Sequence, residues 1–244
     1  MSGALRLERV TISLATRVLI PPLELSIMPG EVLTLMGPSG SGKSTLLNFL
    51  GGTLPGAFRA SGRVWIGERE VSALAPQQRR IGILFQDDLL FPHLSVGENL
   101  AFGLEASLRT RRARAQRIEA TLAEAGLAGF APRDPATLSG GQRARVALLR
   151  LLLAAPEALL LDEPFNKLDA ALRAEFRRFV FARAAAAGVP VLMVTHDATD
   201  AQAAAGAVLE IVPAPEGASI APGARRTQAA APVQSAGATV AEGL

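Results

Sequence analysis

Eight consecutive residues, Gly37-Pro38-Ser39-Gly40-Ser41-Gly42-Lys43-Ser44, fit the pattern of a phosphate-binding loop. Glycines at this spacing let successive backbone N–H groups converge on an anion without Cβ clashes. A helix opening at Lys43 would add the positive end of its dipole. Lys43 is then placed to reach the β- and γ-phosphates of a nucleotide, the Ser44 hydroxyl to ligate Mg²⁺, and Thr45 closes the set of phosphate-binding residues. A chance glycine-rich turn fits the context less well. The segment follows an apolar strand pattern, Glu31 to Met36, and precedes a helical one. Lys43 is also one of only two lysines, with Lys167, among 25 basic residues.

Two further groups extend this chemistry. Ala158 to Leu161 is an apolar strand that runs into Asp162-Glu163. A buried strand of this kind delivers Asp162 to a metal ion and places Glu163 to accept a proton from an attacking water. Many strands end in an acid, so it is the phosphate-binding loop upstream that makes the pair informative. Leu138-Ser139-Gly140-Gly141-Gln142, followed by the helical run Arg143 to Leu153, has the composition of a second anion site at a helix N-terminus. In isolation it could equally be a helix with Ser139 as its N-cap. One nucleotide does not need two cradles on one chain. Two chains facing head to tail would use both, each closing over the other's ATP.

The elements that must position these residues follow from periodicity and punctuation. Leu5 to Ile12 and Val18 to Ile27 read as strands, as do Glu31 to Met36, Val64 to Ile66 and Ile81 to Phe85. From Asp88 to Leu153 the pattern is helical. Strand (Ala158 to Leu161), helix (Leu168 to Ala187), strand (Val191 to Thr195), helix and strand (Val208 to Val212) then alternate. Such alternation implies an α/β fold with a mostly parallel sheet covered on both faces. The expected organisation is one domain over 1–212, with a core of 1–87 and 154–212 and a helical insertion at 88–153. From Pro213 to Leu244 the chain is dominated by Ala, Pro, Gly, Ser and Thr and has no aromatic residue, which predicts a disordered tail.

Of the 244 residues 49% are apolar, yet no run approaches the ~18 a membrane helix needs. Arg6, Glu8 and Arg9 argue against a signal peptide. The absence of cysteine excludes disulfides and thiolate chemistry. The net charge of +3 is modest. The basic run Arg109, Arg111, Arg112, Arg114 and Arg117 lacks interleaved aromatic residues, so a solvated helix face is favoured over a nucleic-acid surface.

In their order along the chain these motifs resemble the ATP-binding subunit of ATP-binding-cassette (ABC) transporters, over residues 4 to 212. The resemblance rests on the phosphate-binding loop, Leu84-Phe85-Gln86-Asp87, Leu138 to Gln142, Asp162-Glu163, Leu168-Asp169 and Thr195-His196-Asp197. It implies a P-loop ABC ATPase core with an antiparallel N-terminal β-subdomain and an inserted helical subdomain. It implies that Gln86 senses Mg²⁺ and the attacking water, and that His196 contacts the γ-phosphate. Ser139 and Gly141, with Gly140 and Gln142 beside them, would bind the partner's γ-phosphate, and Asp169 would link the two sites. Phe91-Pro92-His93-Leu94-Ser95-Val96-Gly97-Glu98-Asn99-Leu100 resembles bacterial importers, in which this segment docks on the membrane subunit. Arg80 to Asp87, Ala136 to Leu138 and Gln142 to Arg150 resemble in particular an uncharacterised, Ynj-type bacterial ATP-binding subunit.

The expected activity is therefore Mg²⁺-dependent ATP hydrolysis that powers solute transport, as import, through separate permease subunits. The implied partners are a second copy of the chain in a head-to-tail homodimer, the permeases and, indirectly, a periplasmic solute-binding protein, with no nucleic acid. The implied location is the cytoplasmic face of the inner membrane, as a peripheral subunit. The alternative is a soluble ABC ATPase acting on nucleic acid or the ribosome, but such proteins carry two cassettes or a long coiled-coil insertion. Two departures bear on the site. Leu14 stands where relatives stack an aromatic ring on adenine, and Asn166-Lys167 stand where small or Ser residues are common. Relatives of this importer type also often carry a C-terminal β-rich regulatory domain, for which the segment after Val212 offers too few residues.

Overall fold

The structure, a computed structural model, describes residues 3–85, 87–104, 108–214 and 217–222. The first two strands, β1 (Leu5–Leu14) and β2 (Arg17–Ile27), pair antiparallel. With β4 (Phe58–Ile66) and the two-residue β5 (Arg69–Glu70) they form a four-stranded antiparallel sheet in the order β2-β1-β4-β5. The second sheet contains β3 (Val32–Met36), β6 (Ile81–Leu84), β7 (Ala158–Asp162), β8 (Val191–Val194), β9 (Ala207–Ala214) and β10 (Gly217–Pro222). Its order is β10-β9-β3-β8-β7-β6, parallel throughout except for the β9–β10 hairpin.

Strands β3, β7 and β8 are short, apolar and buried along almost their whole length, as a parallel sheet covered on both faces requires. Their side-chain period of two divides the core. Leu33, Leu35, Ala158, Leu160, Leu192 and Val194 face one cluster, shared with Leu46, Leu47 and Leu50 of helix α1 (Lys43–Gly51) and with Leu5, Leu7 and Ile12 of the antiparallel sheet. Val32, Leu159, Leu161, Val191 and Met193 face the other. There they meet helices α5 (Gly140–Leu153) and α6 (Ala170–Ala186) through Val146, Leu149, Phe176 and Val180. Burying both faces locks the C-terminal ends of β3, β7 and β8, from which the site residues project.

The segment expected as a helical insertion, 88–153, carries α3 (Val96–Ala101), α4 (Arg111–Glu124), a 3₁₀ turn at Pro135–Thr137 and α5. Arg114 of the basic run donates to the Ala101 carbonyl at 2.9 Å, while Arg111, Arg112 and Arg117 lie on the exposed face of α4. The short α2 (Pro76–Arg79) ends in Arg79, which is buried against the carbonyls of Phe49 and Leu50 at the end of α1. Helix α7 (Ala198–Ala204) leads into β9.

The structure departs from the expected disordered tail. Strand β9 continues past Val212 to Ala214, and β10 returns beside it, pairing Ile220 with Ile211. Ile220 packs against the core cluster beneath the antiparallel sheet. Pairing with the edge strand β9 and the packing of Ile220 accompany this strand, and average composition registers neither. Residues 223–244 lie outside the described part of the chain.

Candidate nucleotide-binding site

The loop between β3 and α1 is shaped by glycines at positive φ, namely Gly37, Gly40 and Gly42. At Gly37, φ is 148° and a Cβ would come 2.8 Å from the Ile211 carbonyl oxygen of β9. The loop can lie this close to the sheet only without a side chain there. Pro38 O accepts from Ser41 N at 3.3 Å, which rounds the loop, and the Ser41 hydroxyl is buried without a hydrogen-bond partner. Ser39 lies in the loop and Thr45 in the first turn of α1.

Lys43, in the first turn of α1, is buried, and its ammonium donates to the carbonyls of Gly37 and Pro38, both at 2.8 Å. Burial pushes its pKa down, opposed by the charges of Glu163 and Asp162. Asp162 ends β7. Burial pushes its carboxyl up, opposed by a hydrogen bond with Ser44 and by the charge of Lys43. A buried carboxylate and the Ser44 hydroxyl beside a phosphate cradle make an all-oxygen donor set. That set suits Mg²⁺, which takes one or two protein oxygens and completes its shell with phosphates and water. Asp162 and Ser44 therefore fit the ion. Gln86, the third expected ligand, lies outside the described residues.

Glu163, the next residue, adopts φ 50°, a left-handed conformation unusual for a non-glycine residue. Its N–H donates to Val194 O at 2.9 Å, which ties the bend to the end of β8. Its carboxylate is engaged on both oxygens: Oε1 lies 2.7 Å from Nδ1 of His196, and Oε2 accepts from Asn166 Nδ2 at 3.0 Å. Thr195, fully buried, holds Asp197 N at 3.0 Å and sets the path of the chain into α7. His196 itself is exposed, not a satisfied core histidine.

Lys43, Ser44, Asp162, Glu163 and His196 thus gather beyond the C-terminal ends of β3, β7 and β8, in the interior of the parallel sheet. The second cradle does not join them. Ser139 is the N-cap of α5, with its Oγ accepting from Gln142 N at 3.2 Å and Gln142 Oε1 accepting from Ser139 N at 2.9 Å. The N-cap reading of this segment is what the geometry shows: a capped helix whose N-terminus is built around two glycines. Gly141 packs so closely that a Cβ would lie 3.1 Å from Lys167 O. Among the described residues no hydrogen bond or ion pair joins Ser139, Gly140, Gly141 or Gln142 to Lys43, Asp162, Glu163 or His196. Asp169 caps α6 by accepting from Leu172 N at 3.0 Å.

Two groups escaped the sequence reading. Arg173 pairs with Asp197 at 2.8 Å and reaches the carbonyls of Asn166 and Leu168, so it binds the loop after Glu163 to the loop after His196. Its position four residues after the cap Asp169 was visible, but its long-range partners were not. Asp88 lies 3.3 Å from Lys167 and 3.6 Å from Arg143, joining the segment after Gln86 to both the Asp169 loop and α5. Beside it is a groove of about 290 Å³ lined by Leu84, Phe85, Asp88, Leu89, Phe91, Phe102 and Arg150. Leu89, Phe91 and Phe102 are exposed there.

A family model described as ABC transporter matches residues 20–166. The chain is 49% identical over 196 residues to the uncharacterized ABC transporter ATP-binding protein YnjD of Escherichia coli (strain K12), covering 80% of this chain and 90% of that protein. It is 47% identical over 173 residues to the thiamine import ATP-binding protein ThiQ of Cereibacter sphaeroides, covering 71% of this chain and 74% of that protein. With the Fe(3+) ions import ATP-binding protein FbpC 1 of Rhizobium meliloti (strain 1021) it shares 42% identity over 190 residues, covering 78% of this chain but only 53% of that protein. Among solved structures, the ATP-binding cassette MJ0796, a dimer in a post-hydrolysis state bound to ADP and Pi, superposes with a TM-score of 0.74 at 31% identity. That match covers 84% of this chain and 93% of the other.

Proposed function

The chain belongs to the ABC transporter family and is an ATP-hydrolysing subunit of it, and from that premise we propose that it powers solute import through separate permeases as a head-to-tail homodimer on the cytoplasmic face of the inner membrane. The observation that carries the chemical part is the adjacency of Asp162 and Glu163 at the end of β7, facing Lys43 and the exposed His196. Support for import comes from relatives that are themselves import ATP-binding proteins. The apolar groove around Phe91 and Phe102 supports a permease contact, and a periplasmic solute-binding protein would act at one remove.

The phosphates of ATP enter the Gly37 to Thr45 loop. Lys43 exchanges its two carbonyl acceptors for phosphate oxygens, a favourable trade because anionic acceptors bind an ammonium more strongly. Ser44, Asp162 and Gln86 would hold Mg²⁺, which, when bound, draws charge from the phosphate oxygens. Glu163 takes a proton from water as the water oxygen bonds the γ-phosphorus. The bond from that phosphorus to the β–γ bridging oxygen breaks, leaving ADP and inorganic phosphate. His196, swinging from Glu163 toward the γ-phosphate, steadies the charge there. Ser139, Gly140, Gly141 and Gln142 of a second copy close the site, with Asp169 at the junction.

Phosphate release from ATP, measured with and without Mg²⁺, tests this directly. Native protein should hydrolyse ATP only with the metal present, and Lys43→Ala should lose both nucleotide binding and turnover. A Lys43→Ala protein with native turnover would refute the assignment of the site.

A further inference from the structure

The resemblance to ABC subunits implies small or Ser residues where this chain has Asn166-Lys167, and the mechanism above leaves Asn166 without a part. We propose that Asn166 is a positioning residue for hydrolysis: its amide holds Oε2 of Glu163 so that Oε1 is the oxygen that receives the proton from water. The proposal rests on the reading of Glu163 as the general base.

The geometry is specific. Asn166 Nδ2 donates to Oε2 at 3.0 Å, while Oε1 faces His196 Nδ1 at 2.7 Å. The two oxygens therefore have distinct partners, and the carboxylate plane is fixed. Only one partner can leave easily. His196 is exposed and has a phosphate to bind, whereas Asn166 is tied at its backbone. Its N–H points to Glu163 O at 3.4 Å, and its carbonyl accepts from Arg173 at 3.4 Å. When His196 turns away, Oε1 is freed for water and Oε2 stays held. The other groups facing the carboxylate are Lys43, Asp162 and Thr195, whose hydroxyl lies 3.4 Å from Oε2, too long to fix the plane alone. A serine or alanine at 166 has no amide to span this gap.

The test is a double-substitution cycle on steady-state and single-turnover ATP hydrolysis, using Asn166→Leu, which keeps side-chain size and removes the donor, and Asn166→Ala as a second form. Each should lower kcat about tenfold, the rate equivalent of one lost orienting hydrogen bond. KM for ATP should stay within about twofold. In a Glu163→Gln background the same substitutions should cost no further rate, because Asn166 acts only through the carboxylate. A tenfold loss in both backgrounds, a matching rise in KM, or no loss in either would overturn the proposal while leaving the base intact. If Glu163→Gln alone turned over ATP at the native rate, the base assignment itself would fall and this proposal with it.

Discussion

At the scale of single residues, the site places a carboxylate where burial opposes its charge. Burial holds the Asp162 carboxyl above the ordinary carboxylate value, so the folded state binds its proton more tightly than the unfolded chain. The stability it contributes is therefore present at low pH and is lost as pH rises through the folded value. At neutral pH the ionised group opposes folding. In EDTA and without nucleotide, Asp162→Asn should melt higher than native protein at pH 7, by about 2–4 °C for each kcal/mol relieved. The gap should narrow as the pH is lowered, while Mg²⁺-dependent turnover is abolished. Thermal scans from acid to neutral pH check both parts; an Asp162→Asn protein that melts lower at pH 7 would show the carboxylate to be stabilising.

Leu14 gives a second residue-level expectation. It is exposed at the end of β1, opposite Arg17 of β2 and Phe58 of β4. Base–aromatic stacking is worth about 1–3 kcal/mol, and leucine offers only an apolar contact. Discrimination between ATP and GTP should be weak, and Leu14→Tyr should tighten ATP binding by roughly tenfold, or about 1.4 kcal/mol. KM values for both nucleotides decide it. A native preference for ATP of about a hundredfold, unmoved by Leu14→Tyr, would mean that Leu14 does not meet the base and that Phe58 beside it is the better candidate. Lys43, Ser44, Asp162 and Glu163 were legible from sequence because their chemistry is encoded locally. Asn166 was legible only as a departure from its relatives. That its amide meets Glu163 depends on the left-handed turn at Glu163, which no local pattern announces.

At the scale of elements, one buried amide organises the segment after Gln86. Asn99 of α3 is fully buried, donates to the carbonyls of Phe91, Leu94 and Ser95 and accepts from Phe91 N at 2.8 Å. It fixes the loop that presents Phe91 to the groove. Asn99→Ala would strand those backbone groups, with an expected loss of about 2–4 kcal/mol in folding free energy, measurable by urea denaturation; a change below about 0.5 kcal/mol would contradict it. Phe91→Ala should instead leave stability and ATP hydrolysis near native and uncouple transport, as read by solute uptake in vesicles carrying the permease. Glu98, by contrast, completes a capping box with Ser95, so its substitution disturbs α3 itself and is a poorer probe of coupling. The elements of the parallel sheet were legible because short apolar runs between helices have few alternatives. β4 extends well before the apolar Val64 to Ile66, because pairing with β1 recruits the polar residues preceding it. β10 was missed for the same reason: an existing edge selects its partner.

At the scale of the whole molecule, one chain carries two glycine-rich helix starts, each proposed to bind phosphate, that do not meet. Lys43, Asp162 and Glu163 gather at α1, while Ser139 to Gln142 cap α5 against the Lys167 loop. The order of the motifs made this visible in sequence, and among the described residues the fold keeps the two apart within one chain. The account therefore requires a second copy, and blocking hydrolysis should trap the pair. The most direct test is size-exclusion chromatography with light scattering on Glu163→Gln with Mg²⁺ and ATP. The expected result is a dimer that dissociates when nucleotide is withdrawn and does not form in Glu163→Gln/Ser139→Arg. A Glu163→Gln protein that binds ATP yet stays monomeric at high concentration would contradict the account.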